Sequence, residues 1–135
     1  MKGLIIGDVI GSPYEFTQIK NRDLPFKTRG SKFTDDTIMA IATMDWLLNN
    51  PKKSFEKTLR KWCSKYPQPM GGYGANFSEW IKDSNMGPYG SFGNGSAVRS
   101  MPLIRYIIKK YDNSKYLEQA LLWGKKSAEI THDHI

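Results

Sequence analysis

Thr34-Asp35-Asp36-Thr37-Ile38-Met39-Ala40-Ile41-Ala42-Thr43-Met44-Asp45-Trp46-Leu47-Leu48-Asn49 is the stretch whose reading decides the fold. Ile38, Ile41, Ala42 and Leu48, joined by Met39, Met44 and Leu47, recur at the three-to-four spacing that places apolar side chains on one side of an α-helix. Thr34 has the right chemistry to cap its start, because a hydroxyl can accept from an early amide. Pro51 stops it. The spacing therefore predicts a buried helix over 35–49.

Working outward, the same period returns. Phe55, Leu59, Trp62, Cys63 and Tyr66 share one face between Ser54 and Tyr66, which ends at Pro67 and Pro69. Phe77, Trp80 and Ile81 mark a short helix between two glycine-rich loops, Gly71-Gly72-Tyr73-Gly74 and Gly87-Pro88-Tyr89-Gly90-Ser91-Phe92-Gly93-Asn94-Gly95. Ala97, Met101, Ile104, Ile107, Ile108 and Tyr111 predict a helix from Ser96 to Tyr111, with Pro102 taken as near enough to its start to be tolerated. A last helix, opened by Asn113 or Ser114, runs through Leu117, Ala120, Leu121, Trp123 and Ala128. Gly3–Phe16 is ambiguous between strand and helix because of Gly7 and Gly11, and its neighbours favour helix. No alternating pattern of strand length is present. The expected class is all-α, in one domain over residues 1–135.

Composition sets limits on function. The chain has 135 residues, 39% hydrophobic and 13% aromatic, enough bulky material for a core. No apolar run approaches the roughly 20 residues that cross a bilayer, so no membrane partner is expected. Cys63 is alone, which excludes an internal disulfide and suits a reducing compartment, hence a cytoplasmic expectation. Twenty Lys and Arg against thirteen Asp and Glu give a net charge of +7, which raises nucleic acid as a partner. The charges mostly flank the predicted helices, as on solvated faces, and the glycine-rich region is close to neutral. Their distribution argues against nucleic acid, although a positive field still draws anionic nucleotides.

Several motifs can carry chemistry, each with a plainer alternative. Thr34, Asp35, Asp36 and Thr37 are hard oxygen donors at a helix start: either ordinary capping, or part of a magnesium site. Glu15, after the Gly11-Ser12-Pro13 turn, is either a surface acid or a proton-transfer group. Gly72-Tyr73-Gly74 and Gly93-Asn94-Gly95-Ser96 are either connectors or loops that offer backbone N–H groups to a phosphate. His132 and His134 form a terminal pair that spacing alone does not make a metal site.

Taken together and in order, Gly7-Asp8, Gly11-Ser12-Pro13-Tyr14-Glu15-Phe16, Phe33-Thr34-Asp35-Asp36-Thr37, Gly72-Tyr73-Gly74, Gly93-Asn94-Gly95-Ser96-Ala97 and Ser127-Ala128-Glu129-Ile130-Thr131-His132 make the chain resemble the N-terminal half of the ADP-ribosylglycohydrolase family. The resemblance implies an all-α fold, two magnesium ions in an acidic cleft, and hydrolysis of the bond joining ADP-ribose to an acceptor. It implies Thr34, Asp35 and Asp36 as metal ligands and Glu15 as the catalytic acid or base. Gly72, Tyr73 and Gly74 would bind near the diphosphate, Gly93, Asn94, Gly95 and Ser96 would shape the ribose and phosphate pocket, and His132 would line its far part.

Members of that family are about twice as long, with an Asp-x-Asp-Thr type motif in their second half that completes the metal shell. No such acidic cluster follows Asp36 here. The expectations are a partial domain that is part of a longer enzyme, a chain completed by a second copy or a complementing C-terminal half, or a shortened protein that binds ADP-ribose-like nucleotides without cleaving them. A partial helical domain is also expected to leave apolar surface uncovered near its end, at Leu117, Leu121 and Trp123.

Overall fold

A computed structural model describes residues 1–17, 19–20, 23, 25, 29–49, 51–112 and 114–133. Six α-helices account for the regular structure among them: α1 (Lys2–Gly11), followed by a 3₁₀ turn (Ser12–Tyr14), α2 (Asp35–Asn49), α3 (Phe55–Lys65), α4 (Ala75–Lys82), α5 (Gly95–Lys110) and α6 (Tyr116–Glu129). The only β-type pairing among the described residues is an isolated bridge of Thr34 with Met70. The all-α expectation holds. No described helix is long and apolar enough to cross a membrane.

Helix α2 is the hub. Thr34 caps it as its sequence predicts, the hydroxyl accepting from the Asp36 amide at 3.2 Å. Ile38, Met39 and Ala42 pack with Leu59 and Cys63 of α3 and Phe77 and Trp80 of α4. Further along, Trp46 and Leu47 meet Phe55 and Leu103 of α5. Leu48, expected on the apolar face, is exposed, and Trp46 and Thr43 are buried instead. Thr43 can enter the core because its hydroxyl donates to the Met39 carbonyl at 2.7 Å. Cys63 is buried and its thiol is pushed up to about 12 by that burial, so it is no nucleophile at neutral pH.

Two basic residues depart from the solvated-face expectation. Arg60 is buried: its guanidinium lies 3.7 Å over the Trp80 ring, and its nitrogens reach Glu56 and the carbonyls of Asp83 and Met86 at 2.8–2.9 Å. It thereby closes the end of α4 onto α3, with planar stacking and a donor fork that a lysine would lack. Arg99, discussed below, is the other.

The boundaries of α5 and α6 also differ from expectation. Pro102 lies inside α5, about two turns from its start, and is buried beside Leu103 and Ile107. The helix survives the missing N–H because this face is covered by α2 and α6. The face carrying Met101, Ile104 and Ile108 is exposed. Helix α6 begins at Tyr116, later than expected, since the Ser114 hydroxyl donates to Asp112 rather than capping the helix. Asn113, the other proposed start, lies outside the described residues. Leu117 and Leu121 are 63% and 68% exposed, as anticipated for an uncovered apolar face. Trp123 is not: it packs on Trp46 at 5.2 Å.

This layout predicts a sharp contrast in mutational cost. Leu59→Ala, at a completely buried α2–α3 contact, is expected to lower unfolding free energy by about 2–5 kcal/mol in urea titrations followed by circular dichroism. Leu121→Ala should change it by less than about 0.5 kcal/mol. Equal effects would contradict the placement of the core.

Candidate functional site

The acidic end of α2 is built from two helices. Asp8, on α1, accepts from the Thr34 amide at 2.9 Å, the Thr34 hydroxyl at 2.5 Å and the Thr37 hydroxyl at 2.5 Å. Three donors converge on one carboxylate, so both threonines of the Thr34-Asp35-Asp36-Thr37 motif turn toward Asp8. None of the residues of α1 is fully buried, so these bonds, with the one from the Lys32 amide to buried Ser12 at 3.1 Å, help its half-buried Leu4, Ile5, Val9 and Ile10 to seat it.

Glu15 reaches the same region by way of the Thr34–Met70 bridge. The Met70 amide donates to the Phe33 carbonyl at 3.3 Å, which brings Gly71 against the turn after α1. Gly71 has φ +79, and a Cβ there would stand 3.0 Å from the Phe16 ring and 3.4 Å from Glu15 Oε2. Only glycine meets both demands. Partial burial, then Asp36 and Asp8, hold the Glu15 carboxyl above its ordinary range.

Asp35 is pushed up to about 7 by burial and then by Asp36, with smaller contributions from Glu15 and Asp8 opposed by its own backbone hydrogen bond. Asp36 is raised by burial and by Asp8, and lowered by Asn94, whose amide Nδ2 donates to its Oδ2 at 3.4 Å. That contact spans from the start of α5 to the start of α2.

Beside Asp35 opens a cleft of about 520 Å³. Of the residues singled out from the sequence, Asp35, Gly74, Gly93, Asn94, Gly95 and His132 line it. Gly74 precedes α4 with φ −55, and a Cβ there would meet nothing within 4 Å. Gly95 is different: a Cβ would lie 3.3 Å from Met39 Sδ, so its lack of a side chain lets α5 approach α2. His132 Nε2 lies 2.8 Å from the Gly93 carbonyl. Gly72, Tyr73 and Ser96 do not line the cleft. Tyr73 turns inward, its ring against Phe77 and its hydroxyl donating to the Tyr66 carbonyl at 2.7 Å, and so serves the cleft by fixing the backbone before Gly74. His134 lies outside the described residues.

Sequence reasoning missed Asp8, Phe92, Arg99 and Thr131. Asp8 sat within a quoted motif and had the right acceptor chemistry. Phe92, 96% exposed on the glycine-rich loop, could have been suspected as an aromatic residue set between glycines. Thr131 also sat within a quoted motif, but nothing in the sequence joined it to Arg99, because only tertiary packing buries the two side by side.

Thr34, Asp35 and Asp36 suit magnesium in donor type, and the burial and neighbouring negative charge that raise both carboxyls are what a divalent cation relieves. The Thr34 hydroxyl donates to Asp8 and accepts from the Asp36 amide, which leaves it one lone pair. Among the described residues no group of three or more His, Cys, Asp or Glu side chains is arranged to hold a metal ion. The residues fit part of a six-ligand shell.

The family model for the ADP-ribosylglycohydrolases matches residues 1–135. The chain belongs to the ADP-ribosylglycohydrolase family. A protein of Acanthamoeba polyphaga mimivirus that carries the name ADP-ribosyl glycohydrolase is 25% identical over 158 aligned positions, which take in 98% of this chain and 48% of the viral protein. The chain thus spans about half the length of that curated relative. No solved structure matches it.

The raised carboxyl of Asp35 has a measurable consequence. It titrates near 7 in the folded chain against 3.8 in an unfolded one, so the folded state holds an extra proton between those values and stability falls as pH rises through that window. In chelator, Asp35→Asn is expected to raise unfolding free energy by about 1–2 kcal/mol above pH 7, solvent screening having trimmed the effect of a part-buried group. The gain should vanish below about pH 4, where both states are protonated. A gain that is the same at pH 4 and pH 8 would contradict the electrostatic origin.

Proposed function

We propose that the chain contributes the N-terminal half of a magnesium-dependent ADP-ribosylglycohydrolase, which hydrolyses the N- or O-glycosidic bond between ADP-ribose and an acceptor. The observation that carries this reading is the juxtaposition, in one family member, of the Asp35–Asp36 pair with a cleft walled by Gly93–Gly95. The cleft is large enough for part of a nucleotide, and its glycine-rich walls leave backbone groups within reach of a diphosphate. The exposed Phe92 ring on its loop offers a face on which a nucleobase could stack.

In the proposed reaction the bond from the anomeric carbon to the acceptor breaks and a water oxygen takes its place, the leaving group gaining a proton. Glu15 has a carboxyl held above its ordinary range and is solvent-accessible, both suited to moving that proton. Asp35 and Asp36, with the Thr34 hydroxyl, would hold magnesium, which when bound supplies positive charge to orient ribose hydroxyls and the attacking water. The remaining ligands are assigned to a C-terminal half or to a second copy of the chain. The partial shell and the relative's greater length support that assignment.

A second reading, binding of ADP-ribose-like nucleotides without cleavage, is favoured by the lack, among the described residues, of a group of three or more His, Cys, Asp or Glu side chains arranged to hold a metal ion. An ADP-ribose release assay on a modified acceptor, with the C-terminal half of a family member supplied in trans, separates the two. Turnover is expected only with magnesium. Asp36→Asn should reduce it at least about 100-fold through the metal, and Glu15→Gln comparably through proton transfer while sparing most nucleotide affinity. Tight binding with no turnover after complementation would favour the second reading; turnover that persists in chelator would sink the metal assignment.

Gly74→Val tests the cleft itself. The position has an extended backbone and open space for a Cβ, so the fold should tolerate valine while the side chain obstructs the cleft. ADP-ribose affinity, read by calorimetry, is expected to fall roughly tenfold with unchanged melting temperature. Unchanged affinity would remove Gly74 from the site.

A further inference from the structure

Arg99 and Thr131 are each 1% exposed, and they meet where α5 passes the end of α6. Arg99 Nη2 donates to Thr131 Oγ1 at 2.8 Å. Its Nε has no hydrogen-bond partner, and among the described residues no carboxylate pairs with it. Burial lowers its pKa to about 10, so the guanidinium remains a cation at neutral pH. A buried guanidinium with an unpartnered Nε is costly, and its position at the cleft asks what the contact accomplishes.

Donor and acceptor roles along the chain of contacts follow from the end groups. A guanidinium only donates, so Thr131 Oγ1 accepts from it, and the single hydroxyl proton is left for His132 Nδ1 at 2.7 Å. Nδ1 is then the unprotonated nitrogen and Nε2 carries the proton, directed at the Gly93 carbonyl 2.8 Å away. The other end gives the same answer, because a carbonyl only accepts and Nε2 must donate to it. A doubly protonated ring would force the Thr131 oxygen to accept twice and strand its own proton.

We propose that Arg99 and Thr131 are positioning residues that hold His132 as the neutral Nε2–H tautomer, and that His132 is thereby the clasp of the glycine-rich loop rather than a base or a metal ligand. Both ring nitrogens are committed, so neither is free to take a substrate proton or a metal. The clasp has a second strand: the Ser91 amide donates to the Thr131 carbonyl at 2.9 Å. Consecutive residues 131 and 132 thus grip loop residues 91 and 93, and Phe92 projects from between the two fixed points. A loop ordered in advance spares a ligand the entropy of ordering it.

The proposal rests on the ADP-ribose reading only for its affinity consequence, because its first readout needs no ligand. Long-range ¹H–¹⁵N correlation spectra of the labelled chain at pH 8 report which ring nitrogen of His132 is protonated, with His134→Gln used to assign the two histidines. The Nε2–H form is expected to dominate. Thr131→Val keeps the shape and removes the hydroxyl, leaving the Gly93 carbonyl alone to favour Nε2–H, so the Nδ1–H share should rise to give a mixture and the Gly93 and Asn94 amides should exchange faster; Thr131→Ser should restore the wild-type spectrum. Arg99→Met, which frees the hydroxyl to accept from Nδ1–H, should also give a mixture, and where it fails to fold the Thr131 pair decides. ADP-ribose affinity should drop roughly five- to tenfold in Thr131→Val and recover in Thr131→Ser. A dominant Nδ1–H or doubly protonated ring in the wild type, or a tautomer unchanged by Thr131→Val, overturns the proposal. A wild-type Nε2–H ring that relaxes in Thr131→Val, in a chain that binds no ADP-ribose, leaves the clasp standing and removes the nucleotide reading.

Discussion

Three hydrogen bonds onto the Asp8 carboxylate set the orientation of everything at the acidic end of the molecule. They draw both threonine hydroxyls of the α2 start to one side, and the Asp8 charge in turn raises the carboxyls of Asp35 and Asp36 between them. Helix α1 contributes no fully buried residue, although Leu4, Ile5, Val9 and Ile10 are half-buried. Losing Asp8 would therefore loosen α1 and the start of α2 together.

The electrostatic cost at this end is borne by the core at the other. Asp35 is raised by burial and by Asp36, and Asp36 by burial and by Asp8, which makes the start of α2 unfavourable as it stands. The same helix buries Ile38, Met39, Ala40, Ala42, Trp46 and Leu47, and at a few kcal/mol for each large side chain this outweighs the strain of the acid pair. Local destabilisation carried by a well-packed element is how a binding site can be kept ready for a cation.

The two sides of the cleft are stiffened by different chemistry. On one side Tyr73 donates to Tyr66 and packs on Phe77, fixing the approach to Gly74. On the other, residues 131 and 132 grip the loop through backbone and imidazole hydrogen bonds. Asn94 then reaches across to Asp36. Glycine supplies access, while hydrogen bonds from outside the loops supply shape, which is why loops this rich in glycine can still define a site.

How much of this was legible beforehand follows from the range of each interaction. Local spacing determined the helices: the period over 35–49 and the Thr34 cap are contacts within a few residues, and they are found as the sequence predicts. The motifs also named Glu15, Asp35, Asp36, Gly93 and Asn94, which converge because they sit at helix ends and in glycine loops that pack together. Periodicity misjudged Leu48, Met101, Ile104 and Ile108, because an apolar stripe does not say which part of it finds a partner. Pro102 was misplaced for the same reason, its helix being held by neighbours rather than by its own propensity. Only the tertiary structure decided that Tyr73 turns inward, that Asp8 orders the acidic motif, and that Arg99 meets Thr131 across 32 residues. A hydrogen bond between buried groups far apart in the chain leaves no periodic trace in the sequence, since it is specified by the whole packing and by nothing local.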